Sequence, residues 1–332
     1  MKGVRFLTVP DGPSNFFLKK IDKLKSFSAK IEESGPYDVL FTRNDPVFLI
    51  IAKQLKAKKV VKLHFHQISH LHAFAKGNAL YKIKAFGDKL LRKTYLKYAD
   101  RILVISEQMR TFLDKEWPMF RDKYIVYPLG VEVGDFENPK PYAERSHDVV
   151  YIGTLAGSRR VDVMIDAVKI YNEKYGPLVL DIWGASHNPQ DDQNLKQHAQ
   201  NTGMADKVKF HGKISRQEVL AKLKDTKIGL SAIPSTGILN QISPTKLMEY
   251  LAAGSCVIAT GGIKDQVDII NEAYGGGLID FNAGEIAEAI HNILNDNNKA
   301  EALSQQGREY ILEKRSYKTM AQKLRAEMQQ LL

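Results

Sequence analysis

Apolar and polar positions alternate along this chain on two scales. Short apolar runs at Val4–Val9, Asp38–Thr42, Val60–Leu63 and Arg101–Ile105 are separated by stretches of helical periodicity, which predicts an open parallel sheet with helices packed against it. A second series follows. Asp148–Gly153, Leu178–Trp183, Lys207–Ile214 and Lys227–Ser231 read as further strands and turns, each succeeded by a helical or loop segment. Ser243–Gly254 then reads as a short helix, with Ser243 as its N-cap, Pro244 in its first turn and Gly254 just past its end, running into the apolar strand Ser255–Thr260. The polar run Glu132–Asp148, with Pro139 and Pro141, separates the two series and marks a domain boundary. Ser304–Leu332 is helical in composition. One segment, Ala75–Ala99, is amphipathic in a different sense. Leu80, Ile83, Phe86, Leu90, Leu91 and Tyr95 give it apolar surface, while Lys82, Lys89, Lys93 and Lys97 fall on one side.

Composition changes this picture in three ways. The 332 residues, 44% hydrophobic, suffice for two domains with a core each. No apolar run approaches the ~20 residues that span a bilayer, and the N-terminus lacks a signal-peptide pattern, so the cytosol is the expected compartment. A lone cysteine, Cys256, excludes an internal disulfide framework and is expected to be a small buried hydrophobe. The formal net charge of +10 is uneven: residues 1–135 carry 25 Lys plus Arg against 14 Asp plus Glu, which leaves the remainder one charge negative. Such asymmetry suits nucleic acid, an anionic membrane surface, or solubility alone. The amphipathic segment makes docking to a membrane surface the expectation of interest. A surface helix whose apolar side packs on its own domain is its rival.

Candidate chemistry concentrates in the second series. Free N–H groups and the positive end of the dipole meet at the N-terminus of the Ser243–Gly254 helix, where Thr245 adds a hydroxyl and Lys246 an ammonium. Together they suit a phosphate or diphosphate. Glu249 follows Thr245 by four residues and shares its face, one turn deeper. A carboxylate so close to a phosphate site needs a neutral partner, and a ribose diol serves. The loop after Asp148–Gly153 brings Arg159 and Arg160 ahead of an amphipathic helix, and guanidinium forks match phosphoryl oxygens. In the first series, His64, His66, His70 and His72 follow a strand, where side chains of open α/β sheets line the ligand crevice. The H-x-H spacing also permits a metal pair, although neither Cys nor carboxylate joins it, and most of these histidines read equally well as ordinary loop residues. The absence of G-x-G-x-x-G removes support for dinucleotide binding.

Pro244-Thr245-Lys246-Leu-Met-Glu249-Tyr250-Leu-Ala-Ala-Gly254 resembles the donor-binding signature of family 4 glycosyltransferases, which have the GT-B fold. Tyr98–Ser106, ending in Ser, and Tyr127-Pro-Leu-Gly130-Val131 match further segments in family order, and the likeness covers roughly residues 37–280. The resemblance implies two Rossmann-like domains facing each other across a cleft: residues 1–137 on the acceptor side, 138–315 binding a nucleotide sugar, and a C-terminal helix over 316–332 packing back on the first. It implies that Ser243, Pro244, Thr245 and Lys246 hold the diphosphate and Glu249 the ribose. Gly153, Thr154, Arg159, Gly184 and the Ile214 backbone would line the donor site, and His64 would lie near the donor sugar. Arg160 and Lys246 would stabilise the leaving diphosphate, with no metal or other cofactor. Two departures stand out. Thr154 occupies a place where the family usually has Arg, and Gln241 the place of the first Glu of E-x7-E, which implies altered recognition of the donor sugar. The N-terminal domain is also short by the family's standard, either trimmed by one βα unit or carrying Asp11-Gly12-Pro13 as a reduced loop. The resulting expectation is a retaining transferase using a UDP-linked sugar and a glycan or lipid-linked acceptor, cytoplasmic or peripheral at the inner face of the membrane, with no nucleic acid partner. A sugar-nucleotide epimerase of the same fold and a non-catalytic partner subunit remain the alternatives.

Overall fold

A computed structural model describes residues 24–30, 38–53, 61–66, 79–236, 240 and 242–331. The expected strand Val4–Val9, the Asp11-Gly12-Pro13 loop, His70, His72 and Gln241 lie outside the described residues. The chain divides into two compact units, Met1–Tyr127 with Leu324–Leu332, and Pro128–Lys323.

Among the described residues of the first unit, four parallel strands stand in chain order: β1 (Val39–Arg43), β2 (Val61–His66), β3 (Arg101–Val104) and β4 (Tyr124–Val126). Leu63, Ile102, Leu103 and Val104 are fully buried, as befits a parallel sheet covered on both faces. Helix α1 (Ala79–Leu96) is shorter than the amphipathic segment read from sequence, and α2 (Glu107–Glu116) starts at Ser106, whose Oγ accepts from the Met109 N–H at 3.1 Å. That cap satisfies one of the orphan donors of the first turn. On α1 the side turned inward carries Ala85, Leu96 and Arg92, the last ion-paired with Asp88 at 2.7 Å. Ile83, Phe86 and Leu90 are exposed instead.

The second unit holds six parallel strands, β5 (His147–Ile152), β6 (Leu180–Trp183), β7 (Val208–Gly212), β8 (Thr226–Ser231), β9 (Cys256–Thr260) and β10 (Gly276–Ile279), in the order β10-β9-β8-β5-β6-β7. The chain builds outward from β5 through β7, then returns to the other side of β5 and builds the opposite way. The order therefore reverses between β5 and β8, and in open α/β sheets ligands bind beyond the carboxyl ends of the strands at such a switch point. Helices cover both faces: α3 (Asp162–Lys174), α4 (Pro189–Asn201), α5 (Arg216–Leu223), α6 (Thr245–Ala252), α7 (Lys264–Ala273), α8 (Ala283–Leu294) and α9 (Asn297–Lys314), with α10 (Tyr317–Gln329) ending the chain. One core gathers Val149, Ile182, Ile228 and Ile258. The other gathers Val150, Trp183, Val257 and the inner face of α6, Leu247, Met248, Tyr250 and Leu251. Cys256 is buried, and its Sγ contacts the Ala300 carbonyl.

The division between units falls after Tyr127, ahead of the polar, proline-bearing run that the sequence offered as a boundary. That run is anchored to the second unit. Val131, Phe136 and Tyr142 are buried in its cores, and Val131 exchanges backbone hydrogen bonds with Arg315 and Tyr317 at 3.0 and 2.9 Å.

Candidate active site

Helix α6 leaves the β8 side of the switch point, and its first turn is open. Its N-cap is Pro244 with no side-chain cap, so the expectation that Ser243 caps it is corrected. Ser243 is drawn elsewhere: its Oγ donates to Asp265 Oδ2 at 2.7 Å, and Arg315 Nη2 donates to Asp265 Oδ1 at 3.0 Å. A buried carboxylate needs donors on both oxygens, and that demand outweighs a single capping bond. The N–H groups of the first turn are left without side-chain partners among the described residues, and Thr245 is exposed beside them.

Lys246 points under this turn. The residue is half-buried, but its Nζ is shielded from solvent and has no hydrogen-bond partner among the described residues. It lies 3.8 Å above the centroid of the buried Tyr151 ring. It also lies against Gly153, where an added Cβ would stand 3.1 Å from Nζ. Burial, and then the charge of Arg159, pull the ammonium pKa down to about 7 against the opposing pull of Glu249. Gly184, at the tip of β6, has φ +143°, and a Cβ there would sit 1.8 Å from the Gly153 carbonyl oxygen. Only glycine lets the tips of β5 and β6 close in this way.

The two arginines of the β5 loop differ in placement. Arg160 is in the left-handed region with φ +49°, exposed, and its guanidinium grips both oxygens of Asp162 at 2.8–3.0 Å. Arg159 is half-buried and is the one whose field reaches Lys246. Thr154 is exposed, and its carbonyl accepts from the Tyr151 hydroxyl at 3.0 Å.

Glu249 sits one turn along α6, its Oε1 accepting from Arg216 Nη1 at 2.5 Å. Arg216 Nη2 reaches Asp135 Oδ2 at 3.2 Å. Next to Glu249, the Tyr250 ring fills the space over Gly229, where a Cβ would stand 2.2 Å from the ring, and its hydroxyl accepts from the Ile152 N–H at 2.8 Å. This ties α6 to the end of β5. Ile214 packs partly on the same core, two residues before Arg216. Sequence reasoning missed Asp135, Arg216 and Asp265. The Ser215-x-x-Glu218 capping box that starts α5 was readable, but the partner of Arg216 was not.

His64 belongs to the first unit. The sequence placed it just beyond a strand, but β2 runs on through His66, paired to β1 and β3, so this placement is corrected. His64 is fully buried within the strand, with Nδ1 2.8 Å from Thr42 Oγ1. Burial, then the charge of Arg92, lower its pKa to about 3, so the ring is neutral. Of the lysines on α1 and just after it, Lys82 and Lys93 are exposed, Lys89 pairs with Glu116, and Lys97 lies 5.0 Å over the Tyr98 ring. Among the described residues no group of three His, Cys, Asp or Glu side chains could hold a metal, and no helix is long and apolar enough to cross a membrane.

Residues 135–310, more than half of the chain, match the family of glycosyl transferases group 1. The chain belongs to that family. An uncharacterised glycosyltransferase of Methanocaldococcus jannaschii is 23% identical over 297 residues, spanning 85% of this chain and 72% of the relative. The alpha-monoglucosyldiacylglycerol synthase of Streptococcus pneumoniae is 24% identical over 308 residues, spanning 86% and 67%. Among solved structures, Anabaena HepE in complex with UDP and glucose superposes with a TM-score of 0.72 at 15% identity, over 97% of this chain and 85% of that one. This glycosyltransferase has the GT-B fold, with one parallel sheet in each unit.

Proposed function

We propose that this glycosyltransferase moves a hexosyl group from a nucleotide diphosphate sugar, UDP-linked, to a lipid-linked or glycan acceptor, with retention of configuration. The observation that carries the donor reading is Lys246: among the described residues it is a buried ammonium without an acceptor, beside a helix N-terminus without a side-chain cap, next to the sheet's switch point. A diphosphate supplies what that group lacks. Thr245 and the free N–H groups of α6 bind phosphoryl oxygens, and Arg159 adds a second cation. Charge builds on the diphosphate as the glycosidic bond breaks, and one preorganised donor there is worth ~3–4 kcal/mol. Glu249 accepts from the ribose hydroxyls. That HepE is seen with UDP and that one relative is a synthase of a glycolipid supports this choice of donor and acceptor classes.

A thermal-shift screen of UDP, GDP, ADP and their sugar conjugates, with and without EDTA, tests the donor site. We expect one nucleotide to raise the melting temperature without metal, and Glu249→Ala to abolish the shift; no shift from any of them refutes the reading. Lys246→Ala should slow turnover by about 10²–10³ in an intact fold.

The acceptor side rests on α1, where Ile83 and Phe86 are each 69% exposed and Leu90 is 55% exposed. Three such residues on one helical stripe, with exposed Lys82 and Lys93 close by in sequence, match an interfacial helix lying on an anionic lipid surface at the cytoplasmic face. Full-length protein should sediment with vesicles containing anionic lipid at low salt, and a variant with Ser at these three positions should stay in the supernatant. Equal partition of both proteins would remove the membrane from the account.

A further inference from the structure

Glu249 is not left to find its ligand by itself. Its Oε1 is held at 2.5 Å by Arg216, whose other amino group reaches Asp135 at 3.2 Å. Oε2 of Glu249 has no hydrogen-bond partner among the described residues. The three charged side chains come from three separate elements, each fixed for its own reason. Asp135 lies on a single turn, Val133–Phe136, pinned by fully buried Phe136. Arg216 is the first residue of α5, and the turn before it is closed by a reciprocal capping box: Ser215 Oγ accepts from the Glu218 N–H at 3.3 Å, and Glu218 Oε2 accepts from the Ser215 N–H at 2.8 Å. Glu249 is set by α6, whose neighbouring Leu247, Met248 and Tyr250 are fully buried.

A partly exposed glutamate on a helix samples several rotamers, and binding must order it at an entropic cost. A guanidinium clamped between two carboxylates removes that freedom beforehand. It also leaves Oε2 without a protein partner among the described residues, on a carboxylate whose other oxygen is held. We propose that Arg216, steadied by Asp135, is a positioning residue for the proposed donor site: it holds Glu249 by Oε1 so that Oε2 is presented to the ribose hydroxyls. The inference rests on the donor reading given above. It adds that ribose selectivity resides in a three-residue charge chain rather than in Glu249 alone. Ile214 immediately precedes the N-cap Ser215 of the helix that carries Arg216, so the segment expected to meet the base also sets the group expected to meet the sugar ring.

The test compares ribonucleotide with deoxyribonucleotide. Calorimetric titration of full-length protein with UDP, GDP and ADP identifies the tightest, and its 2′-deoxy and 3′-deoxy forms are then titrated against wild type, Arg216→Gln, Arg216→Lys, Asp135→Asn, Glu249→Gln and the double variant Arg216→Gln/Glu249→Gln. Wild type should prefer the ribonucleotide roughly tenfold or more, the range of a hydrogen bond to a charged group. In Arg216→Gln that preference should shrink toward unity, with partial recovery in Arg216→Lys and an intermediate value in Asp135→Asn. The double variant should be no worse than Glu249→Gln, because Arg216 acts through Glu249. A merely structural role would weaken ribo and deoxy forms alike and leave their ratio unchanged. Full discrimination in Arg216→Gln, or additive losses in the double variant, overturns the inference while leaving the donor site standing. Failure of wild type to bind any of the three nucleotides overturns both.

Discussion

A buried ammonium without an acceptor costs free energy unless it gives up its proton, and Lys246 shows that cost as a pKa near 7. An anion bound against Nζ raises that value, so binding takes up a proton wherever the pH lies between the free and bound pKa. Linkage then fixes the sign: affinity is highest at and below pH 7 and falls as pH rises above it, by at most about tenfold per unit. Nucleotide titrations between pH 7 and 9 should show this slope, with proton uptake visible as a dependence of the measured heat on buffer. In Lys246→Met the slope should vanish and the affinity should be lower throughout. A slope unchanged in the variant would locate the titrating group elsewhere. His64 presents the opposite case. Its pKa near 3 means that no change of charge on this ring enters anywhere above pH 5.

Among the elements, α6 shows what could and could not be read from sequence. The positions of Thr245, Lys246 and Glu249 on one short helix, and the strand before and after it, follow from local periodicity and from the Pro and Gly at its ends. What decided its cap was not local. Ser243 belongs to Asp265, a partner 22 residues on, and Glu249 to Arg216, 33 residues back; long-range electrostatics of this kind leaves no periodic trace. Strand β2 was cut short for a related reason. His64 and His66 interrupt the apolar run, yet a neutral histidine bonded to Thr42 is a tolerable core residue, and pairing on both sides carries the ladder through it. The far end of α6 was equally illegible. Arg145, 5% exposed, donates to the carbonyls of Lys140, Thr226, Gly254 and Ala253 at 3.0, 2.9, 2.5 and 3.2 Å, and Arg308 donates to that of Ala252. The carbonyls of Ala252, Ala253 and Gly254 are the orphan acceptors of a helix terminus. Arg145→Met should strand them and lower stability by about 3–5 kcal/mol in urea denaturation, while nucleotide affinity of the folded fraction is unchanged. A loss below 1 kcal/mol would mean that water replaces the guanidinium without penalty.

At the scale of the whole molecule, each unit has its own parallel sheet and its own buried residues, and the family match over residues 135–310 falls inside the second. Calorimetric unfolding should therefore resolve two transitions. A nucleotide at 100 times its dissociation constant should stabilise one of them by ~2.7 kcal/mol and leave the other in place. A single transition shifted as a whole would mean that the units unfold together. Charge is divided just as unevenly, with the basic excess in residues 1–135 and near-neutrality beyond. Against that neutral background the arginines behind α6 acquire a further meaning. A bare helix has two opposite poles whose fields cancel with distance. With Arg145 and Arg308 resting on the carbonyl end, the negative pole is covered and that cancellation is lost, so the positive pole at Thr245 is no longer opposed. Its attraction fades more slowly than a dipole's and is limited chiefly by the Debye length, ~8 Å in physiological salt. Ionic strength accordingly governs how fast a nucleotide arrives at α6 more than how long it stays.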